Sequence, residues 1–164
     1  MKLPSYTRLG TDLALTRYVG TPSAVPLESA DSWGALDLEV VAGGQGGLRA
    51  SQGSDDLGTV SGRANLGQAL ILRLLTPRGS LAGLGHPNYG SRLVDLVGRL
   101  NNDRSRNLAR LYTLQALGEE PRVRQVLGLA VEVMPDQPDV IRIGFEVLPL
   151  DDDQPLSLAL EVAL

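Results

Sequence analysis

The chain contains no cysteine among its 164 residues and only one histidine. Without thiolates, neither a disulfide framework nor a thiolate metal site can substitute for packing, and synthesis in a reducing cytosol is expected. One histidine is also too few for the usual metal clusters. Folding must therefore depend on burial of apolar side chains, which make up 43% of the sequence.

Excess basic charge and long apolar runs are missing as well. The formal net charge is −4, and the two signs are interleaved, so the basic surface that neutralises nucleic-acid phosphates is not expected. No segment reaches the roughly 18 to 20 apolar residues of a membrane span, and the first residues lack the apolar region of a signal peptide. The expected partners are proteins, and export by the general route is not expected.

Motifs that carry chemistry are scarce. His86 lies in a Gly-His-Pro turn, and the Gly-x-Ser-x-Gly elbow of serine hydrolases is missing. The glycine cluster at 43–47 lacks the Lys-Ser/Thr that completes a phosphate-binding loop. The acidic run at 151–153 lacks the spaced oxygens of a calcium loop and is typical of a solvated turn. We expect no catalytic, cofactor-binding or metal-binding residues.

Glycoside hydrolysis is the enzymatic alternative with the nearest candidates. It needs two carboxyl groups across a cleft, of which Glu119 or Glu120 could be one. Nothing in the sequence marks the second carboxyl group. One tryptophan, four tyrosines and one phenylalanine are also few for a sugar cleft. The sequence favours a protein that is not an enzyme.

The chain divides near residue 58. Residues 1–58 are irregular, and only the alternation at 35–41 predicts a short strand. We interpret this region as an arm that orders against the core or a neighbouring subunit. Residues 59–164 form the main domain.

About three helices are predicted in the main domain. The first runs through Leu66, Leu70 and Leu74, is apolar over most of its circumference, and ends at 76–79 because of Pro77 and Gly79. The second begins after Ser91, a plausible N-cap, and carries its apolar residues at i, i+3, i+4 and i+7: Leu93, Leu96, Val97 and Leu100. The third follows Asn101-Asn102-Asp103, which can cap it, and stops at Gly118. Its predicted buried face consists of Leu108, Leu111, Tyr112, Leu114, Gln115 and Leu117.

The last 42 or so residues switch to a period of two, which indicates strands. Apolar side chains alternate in three segments: Leu127 to Val133, Ile141 to Val147, and Leu156 to Leu164. Short connections predict an antiparallel meander with one face on the helices. The predicted fold is α+β, with about three helices packed on one face of a C-terminal three-stranded antiparallel sheet and an irregular N-terminal arm.

Glu120-Pro121-Arg122 separates the third helix from the first long strand. Pro121 prevents the helix from continuing and pushes Glu120 towards extended geometry. Side chains two apart on an extended segment lie on the same side, so Glu120 and Arg122 are expected together, with Arg124 next in line. The unit is either a partner-binding motif or a helix stop with a surface ion pair of little energetic value.

Five stretches in a fixed order resemble a known family, the baseplate wedge proteins of contractile tails. This family includes the phage lysozyme-like wedge protein and its counterparts in type VI secretion and extracellular contractile injection systems. The resemblance spans roughly residues 55–135. The stretches are Asn65-Leu66-Gly67-Gln68-Ala69-Leu70, Leu74-Leu75-Thr76-Pro77-Arg78-Gly79, His86-Pro87-Asn88-Tyr89-Gly90-Ser91-Arg92-Leu93, the Asn101 to Leu117 helix, and Glu120-Pro121-Arg122.

The resemblance implies a structural subunit of a phage tail or injection particle. Such a subunit would sit in a hetero-oligomeric, sixfold ring, contact the core bundle of larger wedge proteins together with spike or hub proteins, and contact the first ring of sheath protein. The family's Glu-Pro-Arg motif implies a role in wedge assembly and sheath initiation for Glu120, Pro121 and Arg122. An open sheet edge would let a sheath segment add as a strand. The alternative is a peptidoglycan-degrading baseplate hydrolase.

Overall fold

The computed structural model describes residues 9–15, 40–41, 56–150 and 152–164. Two short antiparallel pairs precede the main elements: β1 (Thr11–Leu13) pairs with β4 (Thr59–Ser61), and β2 (Val40–Val41) pairs with β3 (Asp56–Leu57). Then follow helix α1 (Gly62–Leu75), two 3-10 turns (Ala82–Leu84 and Leu93–Leu96), helix α2 (Asp103–Gly118) and strands β5 (Val123–Met134), β6 (Gln137–Pro149) and β7 (Leu156–Ala163).

Helix α1 is the central helix that the sequence predicts. Leu66, Leu70 and Leu74 are almost fully buried, because their spacing of four places them on one side of the helix. The helix ends at Thr76, whose backbone is extended at φ −79° and ψ 127°. A proline at the next position disfavours helical geometry for the preceding residue, and Pro77 supplies that constraint.

The loop from 76 to 91 is closed by backbone hydrogen bonds at its base. The Ser91 amide donates to the Thr76 carbonyl at 2.8 Å, and the Arg78 amide donates to the Ser91 carbonyl at 2.8 Å. Gly90 has a φ of +101°, and a Cβ atom there would lie 2.5 Å from the Thr76 carbonyl oxygen. Only glycine fits at position 90, so close to the backbone of Thr76, without displacing that backbone.

The predicted second helix is wrong. Its first residues form a single 3-10 turn, Leu93–Leu96, which buries Leu93 and Leu96. The chain then becomes extended at Val97, and Gly98 has a φ of +79°, so no further helical turn can form. The described part of the main domain therefore has two α-helices, not three.

The third predicted helix is α2, and its start is as expected. The Asn102 side chain accepts a hydrogen bond from the Ser105 amide at 2.9 Å, which caps the helix. Its buried face differs from the prediction, however. Leu111, Leu114 and Gln115 are exposed. Ser105, Ala109, Thr113 and Ala116 face the core in their place, while Tyr112 and Leu117 are buried as predicted. The small side chains bring the helix close to its neighbours.

The C-terminal sheet confirms the predicted antiparallel meander, with β6 between β5 and β7. One face packs on the helices. Ile141, Ile143 and Val147 of β6, and Leu160 and Val162 of β7, are almost fully buried in one cluster with the leucines of α1 and α2. The class is α+β, as predicted.

Strand β5 departs from strict alternation. Two residues oppose one between Val126 and Gly128, and further register shifts occur between Val123 and Gln125 and at the end of the strand. Such bulges rotate the side chains that follow. Leu127 is therefore exposed, against the prediction, while Val126 packs against the core. Val133 is exposed as well, although Leu129 and Val131 pack on the core as predicted.

Part of the N-terminal arm belongs to this core. Leu9 is buried with the main apolar cluster. Strand β1 pairs with β4, which directly precedes α1. Of the strand predicted at 35–41, the structure describes Val40–Val41, which is β-strand; residues 35–39 and the glycine cluster at 43–47 lie outside the described residues.

Candidate functional site

The Glu120-Pro121-Arg122 turn connects α2 to β5. The Glu120 amide donates to the Leu117 carbonyl at 3.2 Å, which closes the end of the helix, and the Leu150 amide donates to the Arg122 carbonyl at 2.8 Å, which begins the sheet. Pro121 is exposed between them. The turn therefore fixes the angle between helix and strand, as the sequence predicts.

The structure brings Glu120 and Arg122 together, but Glu120 is not at the surface. Its residue exposure is 5%, and its carboxylate accepts hydrogen bonds from Arg122 Nε at 2.6 Å and from Arg73 Nη2 at 3.2 Å. Burial alone would raise the pKa of Glu120, but the hydrogen bond and charge of Arg122, together with the charge of Arg73, outweigh it and hold the pKa below 4.5. The buried carboxylate is therefore ionised at neutral pH.

Arg73 is the second cation of this network and was not predicted as a site residue. Its guanidinium lies 4.5 Å from the centroid of the Tyr89 ring, a cation–π contact. Its Nε is buried and has no partner among the described residues. Tyr89 is itself partly buried, and this burial raises the pKa of its phenol. Glu120 therefore supplies the neutralising charge for a buried arginine.

Arg122 also holds the N-terminal arm. Its Nη1 donates to the Leu9 carbonyl at 3.2 Å, and Asn65 Nδ2 donates to the same oxygen at 2.8 Å. The side chain of Gln68 donates from Nε2 to the Leu13 carbonyl at 2.8 Å and accepts at Oε1 from the backbone amide of Leu15 at 2.9 Å. The motif and residues 9–15 thus belong to one hydrogen-bonded unit.

Arg124, expected next in line, does not join the network. It binds the 152–155 turn instead, donating to Asp153 at 3.1 Å, while Arg63 binds Asp152. The predicted solvated turn is thus tied by two arginines at these positions, and Asp151 lies outside the described residues.

A surface cavity of about 510 Å³ lies beside the motif. Its charged walls are Arg73, Arg78 and Glu119, with His86 at an exposed position on its rim. Arg78 donates two hydrogen bonds to the Glu119 carboxylate, at 2.7 and 2.9 Å. This hydrogen-bonded pairing lowers the pKa of Glu119. The cavity wall thus contains two arginines that are each paired with a carboxylate, and its remaining lining residues are Gly85, Pro87, Asn88 and Tyr89.

The outer strands of the sheet present backbone groups with no partner among the described residues. The Leu164 amide donates to the Asp139 carbonyl, and β6 pairs with β7 without a register shift. In an antiparallel pair, successive residues point alternately towards the partner strand and away from it. The outward-pointing residues of β7 are therefore Ser157, Ala159, Glu161 and Ala163.

The same alternation defines the edge of β5, on the opposite side of the sheet. There the outward-pointing backbone groups belong to Leu129, Val131 and Val133. A bulge lies before this run and a register shift after it. Within the described part of the chain, the sheet therefore has one regular free edge, at β7, and one interrupted edge, at β5.

The described residues contain no group of three or more histidine or acidic side chains placed to hold a metal ion. Nor, in the same part of the chain, does any helix have the length and apolar character needed to cross a membrane.

Comparisons with known proteins show the fold. No family model and no curated protein matches the chain. Among solved structures, a protein of Geobacter sulfurreducens provisionally named a tail lysozyme is similar, with a TM-score of 0.51 and 20% sequence identity. The match covers 59% of this chain and 86% of the Geobacter protein. The match thus shows a shared fold over a little more than half of this chain.

Proposed function

We propose that this chain is a structural baseplate wedge subunit of a phage tail or contractile injection system. In this proposal it links the wedge core bundle to the first sheath ring and templates sheath assembly by strand addition. Two findings support it: the fold shared with a protein named for a tail, and the five ordered stretches that resemble the baseplate wedge family. The partners would be other wedge subunits, spike or hub proteins and sheath protein, in a sixfold ring.

The regular free edge of β7 is the observation that carries this proposal. It offers outward-pointing amides and carbonyls along a strand of eight residues, a length of about 27 Å at the usual rise per residue. A sheath segment that pairs there would extend the three-stranded sheet to four strands.

Strand β7 suits this role better than β5. Edge strands are commonly protected by proline, lysine or bulges. β7 contains neither proline nor lysine between Leu156 and Ala163, and its pairing has no bulge. The side chains beside its outward-pointing groups are small apart from Glu161, so another backbone can approach. β5 carries three register shifts, which interrupt any added strand.

The Glu-Pro-Arg turn would supply the wedge contact in two different ways. Pro121 is exposed and the Arg122 side chain keeps 27% of its exposure, so both can touch a neighbouring subunit. Glu120 is buried and would act as a positioning residue, because its hydrogen bond fixes the direction of the Arg122 guanidinium.

Proline substitution at the sheet edge tests strand addition. Ala159→Pro removes one outward-pointing amide and leaves the bonds to β6 in place, since proline is tolerated on edge strands. Val133→Pro makes the same change on the β5 edge and serves as the control. We expect both variants to fold, with the circular dichroism of the parent, and only Ala159→Pro to yield baseplates without extended sheath in electron micrographs. Full-length sheath at the parental yield with Ala159→Pro would refute strand addition at β7.

Arginine substitution tests the wedge contact. Arg122→Ala should reduce the recovery of assembled baseplates, whereas Arg124→Ala, which loses contacts only to the 152–155 turn, should not. If a folded Arg122→Ala protein assembles baseplates and full-length sheath as well as the parent does, the role given to the motif is wrong.

The second candidate is a peptidoglycan hydrolase, favoured by the name of the Geobacter protein and by the cavity beside Glu119. An acid catalyst for glycoside hydrolysis needs a carboxyl group with a raised pKa and a second carboxylate across the cleft. Arg78 instead lowers the pKa of Glu119, and the cavity wall has no other carboxylate among the described residues. Release of soluble fragments from peptidoglycan by the purified protein, lost in Glu119→Gln, would establish the hydrolase.

A further inference from the structure

Helix α2 exposes two leucines on the side away from the core. Leu111 is 56% exposed and Leu114 is 41% exposed. Asn107 and Gly118 are exposed as well and continue the same line. The four positions are separated by four, three and four residues, the spacing of a heptad seam that faces a second helix.

The flanks of this line of residues are basic. At 100° per residue, Arg110 lies on one side of the seam and Arg104 on the other. Arg110 donates to the neutral side chain of Asn107 at 3.0 Å. Neither arginine pairs with a carboxylate among the described residues, since Asp103 is bonded to Arg106. The exposed face of α2 therefore combines two leucines with two uncompensated positive charges.

We infer that this face of α2 docks an amphipathic helix of a partner protein, with leucine-type residues along its seam and acidic residues on its flanks. The heptad spacing suits two helices that cross at about 20°, and Gly118 lets the partner backbone approach closely. Acidic flanks match Arg104 and Arg110 in charge. The surface is separate from the β7 edge, so the inference does not depend on strand addition.

The length of α2 sets the strength of this contact. Sixteen residues extend about 24 Å. One pair of helices of that length buries less area than a stable independent interface, which needs roughly 1,200 to 2,000 Å². The helix pair therefore acts as one part of a larger contact between subunits, and an isolated partner helix should bind weakly, with a Kd of roughly 10 to 100 µM.

Two designed helical peptides test the inference. Each has three heptads with leucine at a and d, and they differ in carrying glutamate or lysine at e and g. Like charges at e and g keep each peptide from pairing with itself at neutral pH. Titration of the full chain should show saturable binding of the glutamate peptide and at least about tenfold weaker binding of the lysine peptide.

Variants on the helix surface separate docking from nonspecific association. Leu111→Ser with Leu114→Ser should weaken binding of the glutamate peptide by at least about tenfold, whereas Leu127→Ser, on the similarly exposed Leu127, should not change it. Arg104→Glu with Arg110→Glu should reverse the preference between the peptides. All these positions except Arg104 and Arg110 are apolar surface sites, and none lies in the buried core.

Three outcomes would overturn the inference. The first is equal binding of both peptides, and the second is binding that the leucine variants leave unchanged. The third is concentration-dependent self-association of the chain, in sedimentation experiments, that the leucine variants abolish; this would make a second copy of the chain the occupant.

Discussion

Removing the Glu120 carboxylate should destabilise the protein strongly. Glu120 is 5% exposed and the Arg73 side chain 10% exposed, so Glu120→Ala would leave a buried guanidinium without its counter-charge. Loss of one partner from a buried ion pair typically costs about 3 to 5 kcal/mol. The partly exposed Arg122 would rehydrate, and Arg73 keeps its contact with Tyr89. We therefore expect a loss near the lower end, about 3 kcal/mol.

Equilibrium unfolding in urea measures this loss, with Glu119→Ala as the matched control. The Glu119 side chain is 32% exposed and pairs with Arg78 outside the core, and pairs of that kind contribute about 1 kcal/mol or less. Replacing both buried partners, in Glu120→Leu with Arg73→Met, should recover most of the loss because no charge is then left unpaired. If Glu120→Ala lowers the free energy of unfolding no more than Glu119→Ala does, the ion pair between Glu120 and Arg73 does not stabilise the fold.

Two further perturbations probe acid stability and the loop closure. The pKa values of Glu119 and Glu120 are lowered in the folded state. The stability that these groups contribute is therefore present above the unfolded-state pKa near 4.5 and is lost as the pH falls through the folded-state values. Glu120→Gln should accordingly show a smaller drop in melting temperature than the parent between pH 6 and pH 3. Gly90→Ala should lower the free energy of unfolding by about 3 kcal/mol or more, because it combines a positive φ with a Cβ that overlaps the Thr76 carbonyl. The control is Gly83→Ala, which has open space around its Cβ and should change the urea midpoint little.

The central helix and the sheet could be predicted from the sequence because their periodicity is strong and continuous. Leu66, Leu70 and Leu74 fit only a helix, and the alternation from Ile141 to Val147 fits only a strand. The spacing of Leu93 and Leu96 is weaker, since a separation of three fits a 3-10 turn as well as an α-helix. Gly98, at positive φ, ends that turn, and a single glycine does not reveal its φ in the sequence.

Other differences arise from tertiary packing. The buried face of α2 contains Ala109 and Ala116, because a close neighbour favours small side chains. A hydrophobicity pattern instead assigns the leucines to the core. The bulge at Val126 to Gly128 is likewise set by pairing with β6, and nothing in the alternation of β5 announces it.

The contact between Glu120 and Arg122 was predictable from their separation of two. Their partners were not, because Arg73 and Leu9 are distant in sequence. One signal was available, however: α1 places Asn65, Gln68 and Arg73 among its apolar residues, and all three are buried. Buried polar side chains need hydrogen-bond partners, so these residues indicated a contact with another segment of the chain.

The closed base of the 76–91 loop has a practical consequence. Because the hydrogen bonds of Ser91 hold the two ends together, the tip around Gly83 and Leu84 carries little of the packing, and Leu84 is 76% exposed. Lengthening such a tip adds only a small closure entropy. A short epitope or fluorescent label inserted there would mark the protein while leaving the core, the β7 edge and the outer face of α2 untouched.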